Sequence, residues 1–525
     1  MDAANNSDPA QAAAKLPPAI GDSTDVGADE SQNKGLVLTP GRRRLVFAAT
    51  MATTFMAAIE IHIVATAMPS ILPQLGGFHL YSWVFGGFVL AQAVTTPVYG
   101  KLADLYGRRR ILATGTIVFL LASLLCGLAT SMPELIIYRA LQGLGAGAIL
   151  PVAHTIVGDI YTPEERAKVQ GQLASVWAIA AIAGPAFGAV IVAQFDWRWV
   201  FWINIPLGIV SLAMIQIFYR ETALRHVHSI DYIGAILLML GSGSFMVVVV
   251  QGANWPAWLN VSLLVTAVFA IVGLVFQERR APEPILPLDL LRNPLIAIGM
   301  LAGAVLGAEI MVIITFLPAH VQGVIGASAG AVAIALVAMS LAWSATAAIG
   351  GRLMIRTSYR TTVIVGSTLL ILGCTALFLH TPANGLVWLS IAATLVGAAM
   401  GFSHSTYVIA VQSSVEYQRR GIATSTLYFS RMLGQAVGAA IFGAIVNAGL
   451  RAGPPGAPEM VEAMMDPARR TDFEPEALRG LVDLLAGSLQ DAYLVALALA
   501  FVVLILATRV PRHLRPTDGR ATGKN

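Results

Sequence analysis

Charge is scarce in this sequence. Only 12% of its 525 residues are Asp, Glu, Lys or Arg, against about 25% in a soluble domain. Apolar residues make up 56%, and the mean hydropathy is +0.72. These figures exclude a soluble domain and predict an all-α, polytopic membrane protein. Cysteine is nearly absent. The two present, Cys126 and Cys374, fall inside apolar runs, where a free Cys behaves as a small hydrophobe. No structural disulfide and no metal site are expected. The phosphate-binding pattern G-x-x-x-x-G-K-[S/T] is missing, so ATP is not the expected energy source. No nucleophile–base pair is visible either, which argues against an enzyme. The net charge of +4 sits at the ends of apolar runs rather than on one basic face. It reads as membrane topology and not as nucleic-acid binding.

Residues 1–40 are rich in Ala, Asp, Ser, Asn and Pro and show no periodicity. A disordered tail is expected there. No apolar run follows a short basic start before Arg42, so this is not a signal peptide. Arg42, Arg43 and Arg44 then precede the first apolar run. Runs long enough to cross about 30 Å of hydrocarbon lie near 45–71, 80–99, 111–130, 134–158, 168–193, 199–219, 230–251, 258–277, 294–318, 328–350, 361–380, 385–410, 422–448 and 491–508. That predicts fourteen spans. Breaks after even-numbered runs hold most of the Lys and Arg, including Lys101, Arg108–Arg110, Arg279, Arg280, Arg352, Arg356, Arg419 and Arg420. Cytoplasmic loops carry such an excess, so both termini are expected in the cytoplasm. The break at 449–490 is expected outside. It lacks clear periodicity, apart from a short helix expected near 474–486, and a break of that length is either functional or disordered.

The break between the second and third runs packs Gly100, Lys101, Asp104, Gly107 and Arg108–Arg110 into eleven residues. Two glycines permit a tight turn or a close approach. Asp104 needs a partner among the bases or at a helix N-terminus. The order G-K-L-A-D-x-x-G-R-R-R resembles the loop between helices two and three of the major facilitator superfamily. Further strings agree. Tyr138-Arg139-Ala140-Leu141-Gln142-Gly143 resembles the family's fourth-helix motif. Gly184-Pro185-Ala186-Phe187-Gly188 resembles the fifth-helix motif of its antiporters, with Ala189 where a second glycine is often found. Trp197-Arg198-Trp199-Val200-Phe201-Trp202-Ile203-Asn204-Ile205-Pro206 and the stretch Arg420–Ser425, followed by Arg431 and Gly434-Gln435, are similar to the fourteen-span drug/proton antiporter branch.

The resemblance implies two six-helix halves, at 41–219 and 294–510, with two additional linker helices within 220–293. Residues 1–40 and 511–525 would be cytoplasmic tails. Substrate would bind between the halves. Gly100, Asp104, Gly107 and Arg108 would form a gating loop. Gly184, Pro185 and Gly188 would form a kink, since proline removes a helix hydrogen bond.

Two acids lie deep inside apolar runs, Glu60 in the first and Glu309 in the ninth. They are expected to be pseudo-symmetric mates facing one cavity. Arg139 lies at a depth similar to Glu60, so the two are expected to interact, with Gln142 nearby. An intramembrane charge is costly unless it is paired or hydrated. Desolvation disfavours the charged form of an unpaired acid, so Glu309 is the expected principal proton carrier. His154, His404 and Arg431 are secondary candidates. The implied function is export of amphipathic or cationic compounds in exchange for protons by alternating access. The alternative is a lipid or cell-envelope-precursor flippase of the same fold, and a non-transporting membrane sensor ranks below it. The expected setting is the inner (plasma) membrane. The expected partners are the lipid bilayer, an amphipathic small molecule and protons. The proton gradient replaces a cofactor, and the chain is expected to be monomeric.

Overall fold

The computed structural model describes residues 39–512, apart from 162, 220–230, 252–254, 283, 286–287, 382–383 and 416–418. Both predicted tails therefore lie almost wholly outside the described residues. The described chain is helical and contains no strand. This is what lipid demands, because a helix satisfies its own backbone polar groups.

The N-terminal group runs α1 (Pro40–Leu75), α2 (Tyr81–Tyr106), α3 (Arg108–Leu128), α4 (Met132–Ile160), α5 (Pro163–Gln194), and the short α6 (Trp199–Trp202), which continues through Ile203 into α7 (Asn204–Phe218). Next come α8 (Tyr232–Gln251) and α9 (Ala257–Arg280). The C-terminal group is α10 (Pro294–Ala319), α11 (Ala329–Arg356), α12 (Tyr359–Phe378), α13 (Gly385–Ser413), α14 (Arg420–Arg451), the short α15 (Ala457–Met464) and α16 (Pro467–Arg470), and α17 (Pro475–Arg509). Counting α6 and α7 as one, thirteen described helices are long and apolar enough to cross a membrane. The fourteenth expected span is α2. Its 26 residues reach about 39 Å at 1.5 Å each, but Gln92, Thr95, Thr96, Lys101 and Asp104 dilute its hydropathy.

Small residues set the packing in both halves, as expected where helix backbones approach closely. A Cβ at Gly143 would strike Phe88 O of α2, and one at Gly145 would strike Phe119 N of α3. In the C-terminal group, Gly434 of α14 lies against Ala304 O of α10, and Gly397 of α13 lies against Met339 O of α11. Between the groups in sequence, α8 and α9 pair with each other, and α8 leans on α2 and α14. The α9 residues Trp258, Phe269 and Phe276 face outward.

One end of the bundle carries the segment between α14 and α17 and is called here the loop face. The other carries the basic connections and is called the basic face. The break at 449–490, expected to be either functional or disordered, is largely helical and packed on the bundle. Helix α14 runs on to Arg451, α15 and α16 follow, and the expected helix near 474–486 is the start of α17. Val461 and Met464 anchor this segment at 0% exposure. It bridges the two groups. Glu462 Oε2 accepts Phe78 N–H at 3.2 Å, and Arg470 Nη1 donates to Gln322 O at 3.2 Å and Gly323 O at 2.8 Å. Burial pushes the Glu462 carboxyl up from its ordinary value, and the N–H groups of Phe78 and Gly77 draw it partly back.

Candidate functional site

Glu60 of α1 has donors on both carboxylate oxygens. Arg139 Nη1 of α4 is 2.7 Å from Oε1, and Asn204 Nδ2 of α7 is 2.5 Å from Oε2. Both charged side chains are closed to solvent. The same Nη1 donates to Gln142 Oε1 at 2.6 Å, and Gln142 Nε2 donates to Ser123 Oγ of α3 at 2.7 Å. Arg139 Nε donates to Val84 O of α2 at 3.2 Å, and its guanidinium lies 4.1 Å from the Phe88 ring centroid. Five helices thus converge on one ion pair. A pair buried this deeply is tolerated only when its remaining hydrogen-bonding groups also find partners. Arg139 Nη2 is the exception, buried with no partner among the described residues.

Glu309 of α10 is as deeply buried and has much less support. Oε2 accepts a thiol hydrogen bond from Cys374 of α12 at 3.4 Å. Oε1 has no partner among the described residues. Glu60 and Glu309, expected to face one cavity, are both closed to solvent in this structure. Each is held inside its own half, because the donors that compensate it come from that half. A cavity of about 480 Å³ does lie between the halves, but at the loop face. Ala189, Val190, Gln322, Ala327, Met465 and Arg470 are among its walls, and neither acid reaches it.

On the basic face, Gly107 ends α2 and starts α3 with φ 98°. Only glycine adopts that conformation readily. Gly100 meets open space. Arg108 and Lys101 are half-buried and engaged. The Asp104 side chain lies outside the described residues. Gly184 and Gly188, flanking Pro185, let α5 press on α1, where a Cβ would meet His62 at 2.6 Å and Ile63 O at 2.9 Å. That contact lies beside the Glu60 turn. His154 is exposed on α4. His404 and Arg431 are brought together, with Arg431 Nη1 3.4 Å from His404 Nε2 and its guanidinium 5.4 Å from the Tyr428 ring. They form a separate group from Glu309.

Sequence reasoning missed Asn204, Ser123 and the two thiols. Asn204 stood inside a quoted string, where an amide amid Ile and Trp was the available signal. Cys126 and Cys374 are free and buried. Beyond filling space, Cys126 Sγ lies 3.8 Å from Gln142 Oε1 as Cys374 lies beside Glu309.

Comparison with known proteins agrees with this architecture. A family profile described as the Major Facilitator Superfamily matches residues 50–439. Multidrug resistance protein 3 of Bacillus subtilis (strain 168) is 35% identical over 393 residues, covering 74% of this chain and 77% of that protein. Multidrug transporter protein MdtP of the same organism is 32% identical over 447 residues, covering 84% and 82%. A solved bacterial homolog of the human lysosomal transporter Spinster, inward-facing and unoccupied, superposes with a TM-score of 0.65. That match spans 90% of this chain and 98% of that one at 16% identity, and it reflects a shared fold. With the family profile covering most of the helical bundle and relatives above 30% identity along most of its length, the chain belongs to the Major Facilitator Superfamily and is a membrane transporter rather than an enzyme.

Proposed function

We propose that this transporter exports amphipathic, often cationic, compounds from the cell in exchange for protons, with the basic face in the cytoplasm and the loop face outside. The contrast between its two buried acids carries the reading. Glu60 is matched by Arg139 and Asn204, whereas Glu309 has one weak thiol donor and a bare oxygen. An acid buried without a cation is suited to hold a proton and release it when the site is hydrated. Glu309 is then the proton carrier. The Glu60–Arg139 pair orders the N-terminal half and responds to a cationic substrate that competes for Glu60. The two Bacillus relatives bear multidrug names, which supports this substrate class. Gly100, Asp104, Gly107 and Arg108 would gate the cytoplasmic side.

Inverted vesicles under an imposed pH gradient, offered a dye panel and labelled lipids, provide the test. Glu309→Gln is expected to abolish gradient-driven dye uptake while dye binding persists. Glu60→Gln is expected to weaken cationic dyes more than neutral ones. Coupled uptake that survives in Glu309→Gln and vanishes in Glu60→Gln reverses the roles. Survival in the double variant refutes the carboxylate mechanism. Movement of lipid alone identifies a flippase.

A further inference from the structure

A second polar cluster lies at the loop face, apart from both carboxylates. His320 opens the π-helical turn His320–Val324 that follows α10, and such turns are frequent at functional sites. His380 follows α12, and Tyr493 belongs to α17. His320 and His380 are 1% exposed and Tyr493 is 0% exposed. Tyr493 Oη is 3.2 Å from His320 Nδ1, His320 Nε2 is 2.9 Å from His380 Nδ1, and His380 Nε2 is 3.3 Å from Gly385 O. His380 sits just under the surface, between the exposed residues Leu379 and Thr381.

The carbonyl at the end fixes the polarity of this chain of hydrogen bonds. Gly385 O can only accept, so His380 Nε2 carries a hydrogen. In neutral His380, Nδ1 then accepts. His320 Nε2–H donates to it, and His320 Nδ1 accepts from the Tyr493 hydroxyl. Every group is satisfied with both rings neutral. One added proton fits as well. His380 then carries hydrogen on both nitrogens, His320 shifts its own hydrogen from Nε2 to Nδ1, and Tyr493 Oη becomes the acceptor. The three mobile hydrogens become four and the net charge becomes +1. A second proton does not fit, because two N–H groups would face each other across 2.9 Å.

Among the described residues, the surroundings of these hydrogen bonds offer no counter-charge. From α2, Tyr81 approaches Tyr493, and its own hydroxyl has no partner among the described residues. From α17, Gln490 Nε2 donates to His380 O at 2.8 Å. From the bridging segment, the cation Arg470 holds the carbonyls of Gln322 and Gly323 on the same turn as His320. No carboxylate bonds to the chain among the described residues. Tyr81 also stacks across the halves on Phe316, one helical turn before His320, with centroids 5.9 Å apart.

We propose that His320, His380 and Tyr493 form a proton-binding site, distinct from Glu309, that takes up one proton from the loop-face side and then favours parting of the two halves there. The hydrogen bonds accommodate the added proton, but a dry imidazolium without a carboxylate is costly. Opening hydrates it. Burial holds His380 below the ordinary histidine value, with the bond to Gly385 O drawing it partly back. The closed form therefore binds the proton less tightly than the open form, so acid opens this face. Two nearby groups also titrate. His79 is pushed down by burial and by Arg451 and shares this sign. Glu462 is pushed up by burial and has the opposite sign, since acid tightens its docking. The proposal goes beyond carboxylate coupling and requires no turnover.

The test is an equilibrium distance measurement on the full chain in liposomes, with the same pH on both sides. Spin labels on Gln194→Cys and Ser328→Cys, both exposed and flanking the loop-face cavity, report opening from pH 8 to pH 5. The open-to-closed ratio is expected to rise by up to about tenfold per pH unit, the limit for one proton, below a pH of about 6.5. His320→Gln and His380→Gln, with Asn versions kept as alternatives, are accepted only where the pH 8 distance matches the parent's closed state. Those variants are expected to lose most of the slope, keeping only the share that His79 adds, while His79→Gln and Glu309→Gln keep most of it. A slope retained in full in the closed His320 and His380 variants, or lost in His79→Gln or Glu309→Gln, overturns the proposal. Gradient-driven uptake is measured separately, so failure of proton coupling leaves this result standing, and the reverse also holds.

Discussion

Cys374 Sγ lies 3.4 Å from Glu309 Oε2, while Cys126 Sγ lies 3.8 Å from Gln142 Oε1 beside the Glu60–Arg139 pair. The two cysteines of the chain occupy corresponding helices, α12 and α3, the third of each half. Their surroundings differ in one respect. Cys126 borders a set of side chains that bond mainly to one another, whereas Cys374 borders an acid with a bare oxygen.

This difference makes the thiols reporters. If Glu309 is hydrated once per transport cycle, Cys374 must be hydrated with it. In Cys126→Ser, maleimide labelling of Cys374 is expected to rise several-fold when substrate and a pH gradient are supplied together. In Cys374→Ser, labelling of Cys126 is expected to stay at its resting rate. Equal, unresponsive labelling of both would refute periodic hydration of Glu309.

The ion pair of Glu60 and Arg139 predicts an asymmetric stability pattern. Arg139→Leu leaves an uncompensated buried carboxylate and removes the donor to Gln142. Breaking such a pair costs about 3–5 kcal/mol. Glu60→Gln keeps an acceptor for Arg139 and is expected to cost less. Combining Glu60→Gln with Arg139→Leu is expected to recover part of the loss, because no acid is then left unpaired. Thermal unfolding in detergent compares the three. An Arg139→Leu protein that melts with the parent would show that the pair adds no stability.

The packing glycines predict a contrast of position within one helix. At Gly434 a Cβ would collide with the Ala304 backbone, whereas at Gly421 it would meet nothing within 4 Å. Overpacking a close contact costs about 1–3 kcal/mol, so Gly434→Ala is expected to lower the melting temperature. Gly421→Ala is expected to leave it unchanged or slightly raised.

Much of this was legible in the sequence, because membrane helices announce themselves by length and hydropathy. The proximity of Arg139 to Glu60 followed from matched depths along two helices. Depth does not give the angle about the helix axis, however, and so the bond from Cys374 to Glu309 was not foreseen. His320 and His380 are 60 residues apart in sequence, and no spacing rule joins them. The bridging segment was left open between function and disorder for a related reason. Val461, Met464, Glu462 and Arg470 are held by contacts with both halves, and periodicity within so short a stretch cannot reveal partners elsewhere in the chain.

That bridging segment yields the last prediction. Glu462 reaches Phe78 on the N-terminal half, and Arg470 reaches the turn after α10 on the C-terminal half. Burial raises the Glu462 carboxyl above its ordinary value, so the docked state holds that proton more tightly than an undocked, hydrated one. Docking through Glu462 is therefore strongest at acid pH and weakens as pH rises through the raised value. Limited proteolysis between residues 452 and 474 measures undocking. Arg470→Ala is expected to be cut faster than the parent at every pH, since it frees the C-terminal anchor. Glu462→Gln mimics the protonated acid. The ratio of parent to Glu462→Gln cutting rates, which cancels the titration of other groups, is expected to be near one at pH 5 and to increase toward pH 8. A ratio that stays flat across this range would show that Glu462 does not titrate with docking.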